Sequence, residues 1–353
     1  MTAEKGGRAL ERRADVDWVR TASMLGVIFL HASSGFVSRP SRFSLLGMTP
    51  ALLCNQAARF SVPVFFLLSG LGLGLSRREA GLPGFWLRRI RRSVLPYVLW
   101  SAFYFLQSSR FRLSALLTGG GLQAFGRLLL TGGAASHLWF LPVLLQLYLL
   151  YPALKWCMRA HPLPTLVLSF LISLYCTLVI YVPLPFPPWW RPRLWRLFPV
   201  WLFYFTLGMA LTAERLEMAA AFARKHVAAL CLLALAAALA YTADAQGSGD
   251  LDSIKPQLFL YSPLCFLAIL ASWRWVERIR GVGAISAFLA RHSMTLYFSH
   301  IFFLGLLRRI AFFQRNSGTM LLMGALVAVL SALTALLPEG AKRWSGRLTK
   351  HAP

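Results

Sequence analysis

Apolar segments of about 20 residues recur along this chain, and they constrain its fold more than any other feature. A helix needs roughly 20 apolar residues to cross the ~30 Å hydrocarbon core of a bilayer. Of the 353 residues, 57% are hydrophobic and 14% are charged, whereas soluble domains carry roughly 25% charged residues. Inside a bilayer every backbone polar group must be paired within the protein, which favours helices for such segments. The sequence therefore predicts an all-α polytopic membrane protein.

The apolar segments predict about ten transmembrane helices joined by short connections. The predicted spans are 18–37, 52–75, 92–107, 138–155, 164–183, 196–213, 226–243, 257–273, 292–310 and 319–338. The predicted transmembrane domain covers residues 18–338, between a tail of residues 1–17 and a tail of residues 339–353. The first tail is too charged for the apolar core of a signal peptide, so we expect the first span to act as an uncleaved anchor.

Lysine and arginine are unequally distributed between the two sides of these spans. The tails and the connections on their side hold 24 of them, the opposite side holds 12, and Arg59 lies inside the second span. The positive-inside rule then places both termini in the cytoplasm. The net charge of +25 is accounted for by basic loops that face an anionic membrane surface, so nucleic acid is not expected as a partner.

The first apolar segment, DWVRTASMLGVIFLHASSGFV, carries an arginine and a histidine, which are costly inside a membrane. On a helix Arg20 and His31 share one face, about 16 Å apart along the axis. Asp17 lies one turn before Arg20 and can orient its head group. All twelve carboxylates lie in tails, connections or span edges, which leaves His31 as the leading general base. The alternative is a histidine that bonds a neighbouring helix and supports packing.

A second polar group occurs in RHSMTLYFSHIFF, where Ser293, Tyr297 and His300 are spaced four and three residues apart. Residues at this spacing share a helical face. The pattern favours a polar cavity, and interhelical hydrogen bonding is the alternative.

A third group lies at the cytoplasmic mouth of the third span, in FWLRRIRRSVLPY. Guanidinium groups match phosphate oxygens, so a cluster of arginines can clamp a phosphate. Anchoring of the segment under the positive-inside rule is the alternative. The four arginines are Arg88, Arg89, Arg91 and Arg92.

Two further patterns bear on ligands. The five cysteines are scattered without a C-x-x-C pair, so neither a disulfide framework nor a metal site is expected. Four tryptophans around PLPFPPWWRPRLW predict an aromatic belt at the outer interface, with a sugar-stacking platform as the alternative. They are Trp189, Trp190, Trp195 and Trp201.

Taken together, these segments resemble the acyltransferase 3 family of bacterial integral-membrane acyltransferases, which includes surface-polysaccharide O-acetyltransferases. The resemblance covers nearly the whole chain. The segments that carry it are, in order, DWVRTASMLGVIFLH, SVPVFFLLSG, RRIRRSVLPY, HLWFLPVLLQLYLLYP and SMTLYFSH.

The resemblance implies a multi-pass protein of the bacterial cytoplasmic membrane. It implies transfer of an acyl group from cytoplasmic acyl-CoA, with acetyl-CoA expected, to a hydroxyl of an envelope glycan or lipid-linked sugar. Membrane lipid surrounds such a protein. Some members carry an extracytoplasmic hydrolase-like domain that this chain does not show. Any second transfer step is therefore expected to need an envelope-biosynthesis partner protein, unless this domain acylates the final acceptor itself.

The same resemblance implies roles for individual residues. His31 is the catalytic base and Arg20 lines the donor channel, while Arg89 and Arg91 hold the phosphates of coenzyme A. Ser293 and Tyr297 shape the cavity. Donors to the oxyanion are expected among Tyr297, His300 and His137.

Two alternatives remain from other functional classes. A small-solute transporter, for an amino acid or a sugar, would use the polar residues to coordinate its solute at mid-membrane. A structural subunit of an envelope-polymer assembly would not depend on His31.

Overall fold

The computed structural model describes residues 13–39, 41, 43–76, 81–110, 112, 118–182, 184–187, 189–249 and 254–336. Regular structure in these residues is helical. Short 3₁₀ turns and one π turn, Ile90–Val94, connect some of the α-helices. The α-helices are α1 (Ala14–Ser33), α2 (Pro50–Ala57), α3 (Ser61–Gly74), α4 (Leu82–Arg89), α5 (Leu95–Ser108), α6 (Gly119–Thr131), α7 (Phe140–Ala160), α8 (Pro162–Tyr181), α9 (Phe198–Ala210), α10 (Ala213–Lys225), α11 (Val227–Ser248), α12 (Leu258–Val276), α13 (Val282–Arg291), α14 (Ser293–Leu307) and α15 (Ser317–Thr334).

Several of these helices suit a bilayer. Large apolar side chains are exposed along α8 and α11, as lipid-facing helices require. A further span forms if the pair Arg191–Ala210 and Ala213–Lys225, bent by 96°, crosses as one broken helix. The chain is thus a multi-pass membrane protein. Among the described residues, six segments are long and apolar enough to cross: Pro50–Gly74, Phe140–Ala160, Pro162–Tyr181, Val227–Ser248, Leu258–Val276 and Ser317–Thr334.

Four of the ten predicted spans correspond to helices outside those six segments, and one of the four, 196–213, contains α9 of the bent pair. Polar side chains lower the hydropathy of α1, while α5 and α14 have only 14 and 15 residues. At 1.5 Å per residue a helix of that length rises about 21–23 Å, less than the ~30 Å hydrocarbon core. The count of ten and the cytoplasmic termini stay predictions. Most of the two predicted tails, residues 1–12 and 339–353, lies outside the described residues.

The predicted connections contain helices that the apolar pattern did not reveal. These are α4, α6, α10 and α13, of 8, 13, 13 and 10 residues. Their polar residues and short lengths hide them from a search for apolar spans. Similarly, α1 begins at Ala14, inside the predicted tail, so its first turns extend past the predicted edge of the first span.

The described helices form two compact units, of which the first contains residues 13–65, 212–249 and 257–336. Within this unit α1 is central, because it contacts α2, α12, α13, α14 and α15. Two glycines permit this close packing. A Cβ at Gly26 of α1 would overlap the Ser61 hydroxyl, and one at Gly324 of α15 would press into the Phe29 ring.

The second unit contains residues 66–211 and 254–256. Its core is aromatic: Phe66 stacks on Trp201 at 5.0 Å between ring centroids and meets Phe140 at 4.5 Å. Trp201 is only 1% exposed, whereas Trp189 is 66% exposed. The four tryptophans therefore do not act as one group. Trp201 is part of the core, and only the more exposed tryptophans suit a membrane interface or a ligand.

Within the second unit, α3 and α9 cross with their backbones in contact. A Cβ at Gly70 would overlap the Phe205 carbonyl, and a Cβ at Gly208 would overlap the Leu67 carbonyl. The glycine that ends SVPVFFLLSG thus has a packing reason, since only glycine fits at this crossing.

Candidate active site

The polar residues of the first segment lie on one unbroken helix, α1, which runs from Ala14 to Ser33. The continuity of α1 keeps Arg20 and His31 on one face, about 16 Å apart along the axis. Asp17 is 6% exposed, and Arg20 and His31 are half-buried. Because other helices of the unit surround α1, these costly side chains are placed within protein.

The helices α13 and α14 pack beside α1, one after the other, and run in the same direction as α1. The Thr21 hydroxyl donates to the Ser286 carbonyl at 3.0 Å, near the start of α1. Further along, the rings of His31 and His300 lie 5.3 Å apart. At the end of α1, Arg308 Nη2 donates to the His31 carbonyl at 2.7 Å. The polar face of α14 therefore packs against the end of α1 that carries His31.

His31 and His300 form a pair of imidazoles within the first unit. His300 is fully buried, and its Nδ1 lies 2.6 Å from the Tyr297 carbonyl and 3.2 Å from the Leu296 carbonyl. A carbonyl only accepts, so Nδ1 carries the proton. In the neutral ring this leaves Nε2 as an acceptor. The Tyr297 ring is 6.1 Å from His300, between centroids.

A buried amide cluster from α2 packs against the same end of α1. Asn55 Nδ2 donates to the Leu30 carbonyl at 2.9 Å and lies 3.2 Å from the Ser33 hydroxyl. Asn55 Oδ1 accepts from Gln56 at 3.0 Å and from Arg59 Nη2 at 2.8 Å. Gln56 is fully buried, and its Oε1 accepts no hydrogen bond from the described residues. The cluster fixes the head of Arg59 by a charge-assisted hydrogen bond.

Two guanidinium groups add positive charge around His31. Arg59 and Arg308 both act on its imidazole electrostatically. Besides the His31 carbonyl, Arg308 Nη2 reaches the Ser34 hydroxyl at 3.2 Å. Fixed positive charges in a site that excludes bulk water stabilise negative charge that develops on a reacting group.

A base candidate flanked by an oriented second imidazole and fixed cations is the arrangement that acyl transfer needs. A family model described as an acyltransferase domain, that of the acyltransferase 3 family, matches residues 13–337. The chain belongs to the acyltransferase 3 family. It is a membrane acyltransferase. No curated protein and no solved structure shows a significant match to it.

The arginine cluster of this acyltransferase lies in the second unit, where α4 passes through the π turn into α5. The Arg89 guanidinium lies 4.6 Å from the Tyr148 ring centroid and 5.3 Å from that of Phe85. Two aromatic faces therefore orient it by cation–π attraction. Arg88 is half-buried, whereas Arg91 and Arg92 are exposed. Of the four arginines, Arg89 is therefore held against aromatic rings, whereas the guanidinium groups of Arg91 and Arg92 are exposed.

Two predicted residues lie away from the histidine pair. Ser293 is the first residue of α14, two turns before His300, and is therefore about 10 Å from it along the helix. His137 belongs to the second unit, where its buried ring meets the Tyr104 ring edge-on at 5.5 Å. The structure thus brings His31, Tyr297 and His300 together and places the other two elsewhere.

The sequence did not reveal that Asn55, Gln56 and Arg308 lie at the His31 end of α1. Two adjacent amides in an otherwise apolar segment, CNQAARF, were the signal available for the first two, since buried amides need partners. Arg308 had no such signal, because it lies at the end of a span where arginine is ordinary. No group of three metal-ligating side chains occurs within the described ranges.

Proposed function

We propose that this acyltransferase moves an acyl group, in the first instance acetyl, from acyl-CoA to a hydroxyl of an envelope carbohydrate or lipid-linked sugar. His31 is the general base of this reaction. The observation that carries the proposal is the His31–His300 pair, with its ring separation of 5.3 Å and a His300 tautomer fixed by the backbone.

The reaction begins when His31 takes the proton of the acceptor hydroxyl as its oxygen attacks the thioester carbonyl. The resulting tetrahedral intermediate carries an oxyanion. Arg59 supplies fixed positive charge for it, and the Tyr297 hydroxyl is a candidate donor. When the carbon–sulfur bond breaks, the coenzyme A thiolate takes the proton back from His31, and the acceptor leaves as an ester.

His300 is assigned a positioning role. Its Nδ1 proton is engaged by the Tyr297 carbonyl, so Nε2 suits an N–H of His31 rather than an oxyanion. Such a bond would fix the tautomer of His31 and direct its other ring nitrogen at the acceptor. A base oriented by a third group is the general pattern of activated acyl transfer. In this chain an imidazole takes the place that a carboxylate occupies in other triads.

For the donor, we assign the phosphates of coenzyme A to Arg89 and Arg91. Arg89 is pre-oriented by the Phe85 and Tyr148 rings, and its Nε donates to no acceptor among the described residues. Arg91 is exposed and free to fold onto a phosphate. Guanidinium–phosphate contacts are charge-assisted and combine well in pairs.

Coenzyme A binding to the detergent-purified protein tests this assignment. We expect the double variant Arg89→Ala with Arg91→Ala to bind coenzyme A at least tenfold more weakly, since each charge-assisted contact contributes about 1.5–3 kcal/mol. Arg280→Ala is the matched control, because Arg280 is exposed and lies in another connection of the same predicted side. Calorimetric titration measures both.

Two outcomes would count against the proposal. Unchanged coenzyme A affinity in the double variant would remove the arginine cluster from the donor site. Uptake of an amino acid or sugar into liposomes in the absence of any acyl donor, together with no acyl transfer from acetyl-CoA, would favour a transporter.

A further inference from the structure

A cavity of about 820 Å³ lies where the chain leaves α1 and enters α15, within the first unit. This volume is in the range of small-molecule sites, roughly 300–1,000 Å³. Phe36 and Phe43 contribute aromatic walls, and Arg39 and Arg315 contribute guanidinium groups. None of the described residues that line it is acidic, and two are arginines, so this lining is positively charged.

Arg39 is held in place without an acidic partner in the cavity lining. Its Nη1 donates to the Gln314 carbonyl at 2.6 Å and its Nη2 to Gln314 Oε1 at 3.0 Å. The guanidinium also lies 4.4 Å from the centroid of the Phe36 ring. An arginine fixed by neutral groups keeps its charge available for a ligand, and the fixed geometry lowers the entropy cost of binding.

The first turn of α15 adds backbone donors to this wall. Asn316 caps the helix by accepting from the Thr319 N–H at 3.0 Å. The N–H groups of Ser317 and Gly318 precede any intrahelical acceptor, and both residues line the cavity. The positive end of an 18-residue helix therefore meets the two arginines at one place.

Hydrogen bonds connect this cavity to His31. Gln314 accepts from Arg39 and donates through Nε2 to the Arg308 carbonyl at 3.1 Å. Arg308 in turn donates to the His31 carbonyl at 2.7 Å. Phe36 follows His31 by only five residues along the chain. The cavity is thus adjacent to the end of α1 that carries the base, and opposite to the end that carries Arg20.

We infer that this cavity binds the acyl acceptor, and that the acceptor carries an anionic group, a phosphate or a carboxylate. Arg39, Arg315 and the first turn of α15 recognise the anion, while Phe43, which is 78% exposed, packs against a sugar ring. The inference rests on the proposed acyl transfer and adds the chemical class of its acceptor. Glycosyl phosphates and acidic sugars are the two sources of such a group.

Titration of the full-length protein in detergent with glucose 1-phosphate, glucuronic acid and glucose tests the inference. We expect at least one anionic probe to bind at least tenfold more tightly than glucose, and the better of the two identifies the anion. The double variant Arg39→Gln with Arg315→Gln should weaken that binding at least tenfold. Arg309→Gln is the matched control, because Arg309 is exposed nearby and does not line the cavity.

Equal binding of glucose and both anionic probes would overturn the inference, as would wild-type affinity in the double variant. If the double variant has a lowered melting temperature, the single variant Arg315→Gln at an exposed position gives the same comparison. Probe binding is measured without an acyl donor, so it tests the acceptor site whether or not His31 is the base.

Discussion

His300 has its Nδ1 engaged by backbone carbonyls, and its ring centroid lies 5.3 Å from that of His31. In the proposed mechanism this arrangement lets His300, in place of a carboxylate, orient the base. The Tyr297 carbonyl fixes the His300 tautomer at 2.6 Å, and the tautomer fixes what Nε2 can do. The positioning role therefore depends on one acceptor atom and not on the charge of the ring.

Replacement of His300 tests this role with a rescue. We expect His300→Leu to lower kcat about 100-fold, since a misaligned base loses much of the 10²–10⁴-fold contribution of general base catalysis. His300→Gln should recover part of the loss, because its side-chain oxygen can accept from His31. The KM for acetyl-CoA should change in neither variant. Equal losses in the two variants would show that His300 acts through packing alone.

For single residues, the sequence predicted which side chains share a helical face, but not which residues of other helices lie next to His31. Helical periodicity placed Arg20 with His31 and Tyr297 with His300, because those relations lie within one helix. Their convergence at His31 depends on how α1 packs on α2 and α14. Asn55 and Arg308 come from distant parts of the chain, so no spacing in the sequence could reveal them.

Among the helices, the crossing of α3 and α9 is the most demanding contact. Gly70 and Gly208 each face a carbonyl of the partner helix, so any added Cβ must force the backbones apart. Close contact through small residues is the usual way in which helices associate within a membrane. The motif SVPVFFLLSG was predicted as a family feature, and the structure supplies the physical reason for its final glycine.

Alanine substitution at this crossing should lower the stability of the protein. We expect Gly70→Ala and Gly208→Ala each to cost about 1–3 kcal/mol, as overpacking of a close contact does. The matched control is Gly72→Ala on the same helix, where an added Cβ meets nothing within 4 Å. The control should equal or exceed the wild type, because alanine favours the helix. Thermal unfolding in detergent measures all three, and equal melting temperatures would contradict the close crossing.

The spacing of the arginines in the sequence does not predict where their side chains lie in the structure. On an ideal α-helix Arg89 and Arg91 lie 200° apart, on nearly opposite faces. The structure places a π turn directly after Arg89, which alters this register, while Phe85 and Tyr148 hold the Arg89 head. Neither the turn nor the ring contacts follow from the spacing of four arginines.

Across the whole molecule, the all-helical class, the membrane location and the family followed from properties of the entire chain. Apolar length is such a property, and so is the order of the matched segments. The span count did not follow, because α5 and α14 are short and α10 turns by 96° from the helix before it. Neighbouring helices can satisfy the backbone groups of a helix that is too short to cross the bilayer. Hydropathy measures only the apolar character of a segment and contains no information on such packing.

The most direct test is acyl transfer by cells that carry either the wild-type protein or His31→Ala, read by mass spectrometry of their envelope glycans. We expect acetylated glycan with the wild type. With His31→Ala we expect a 10²–10⁴-fold slower transfer, while coenzyme A binding and melting temperature are unchanged. A folded His31→Ala protein that acetylates the glycan at the wild-type rate would show that His31 is not the base.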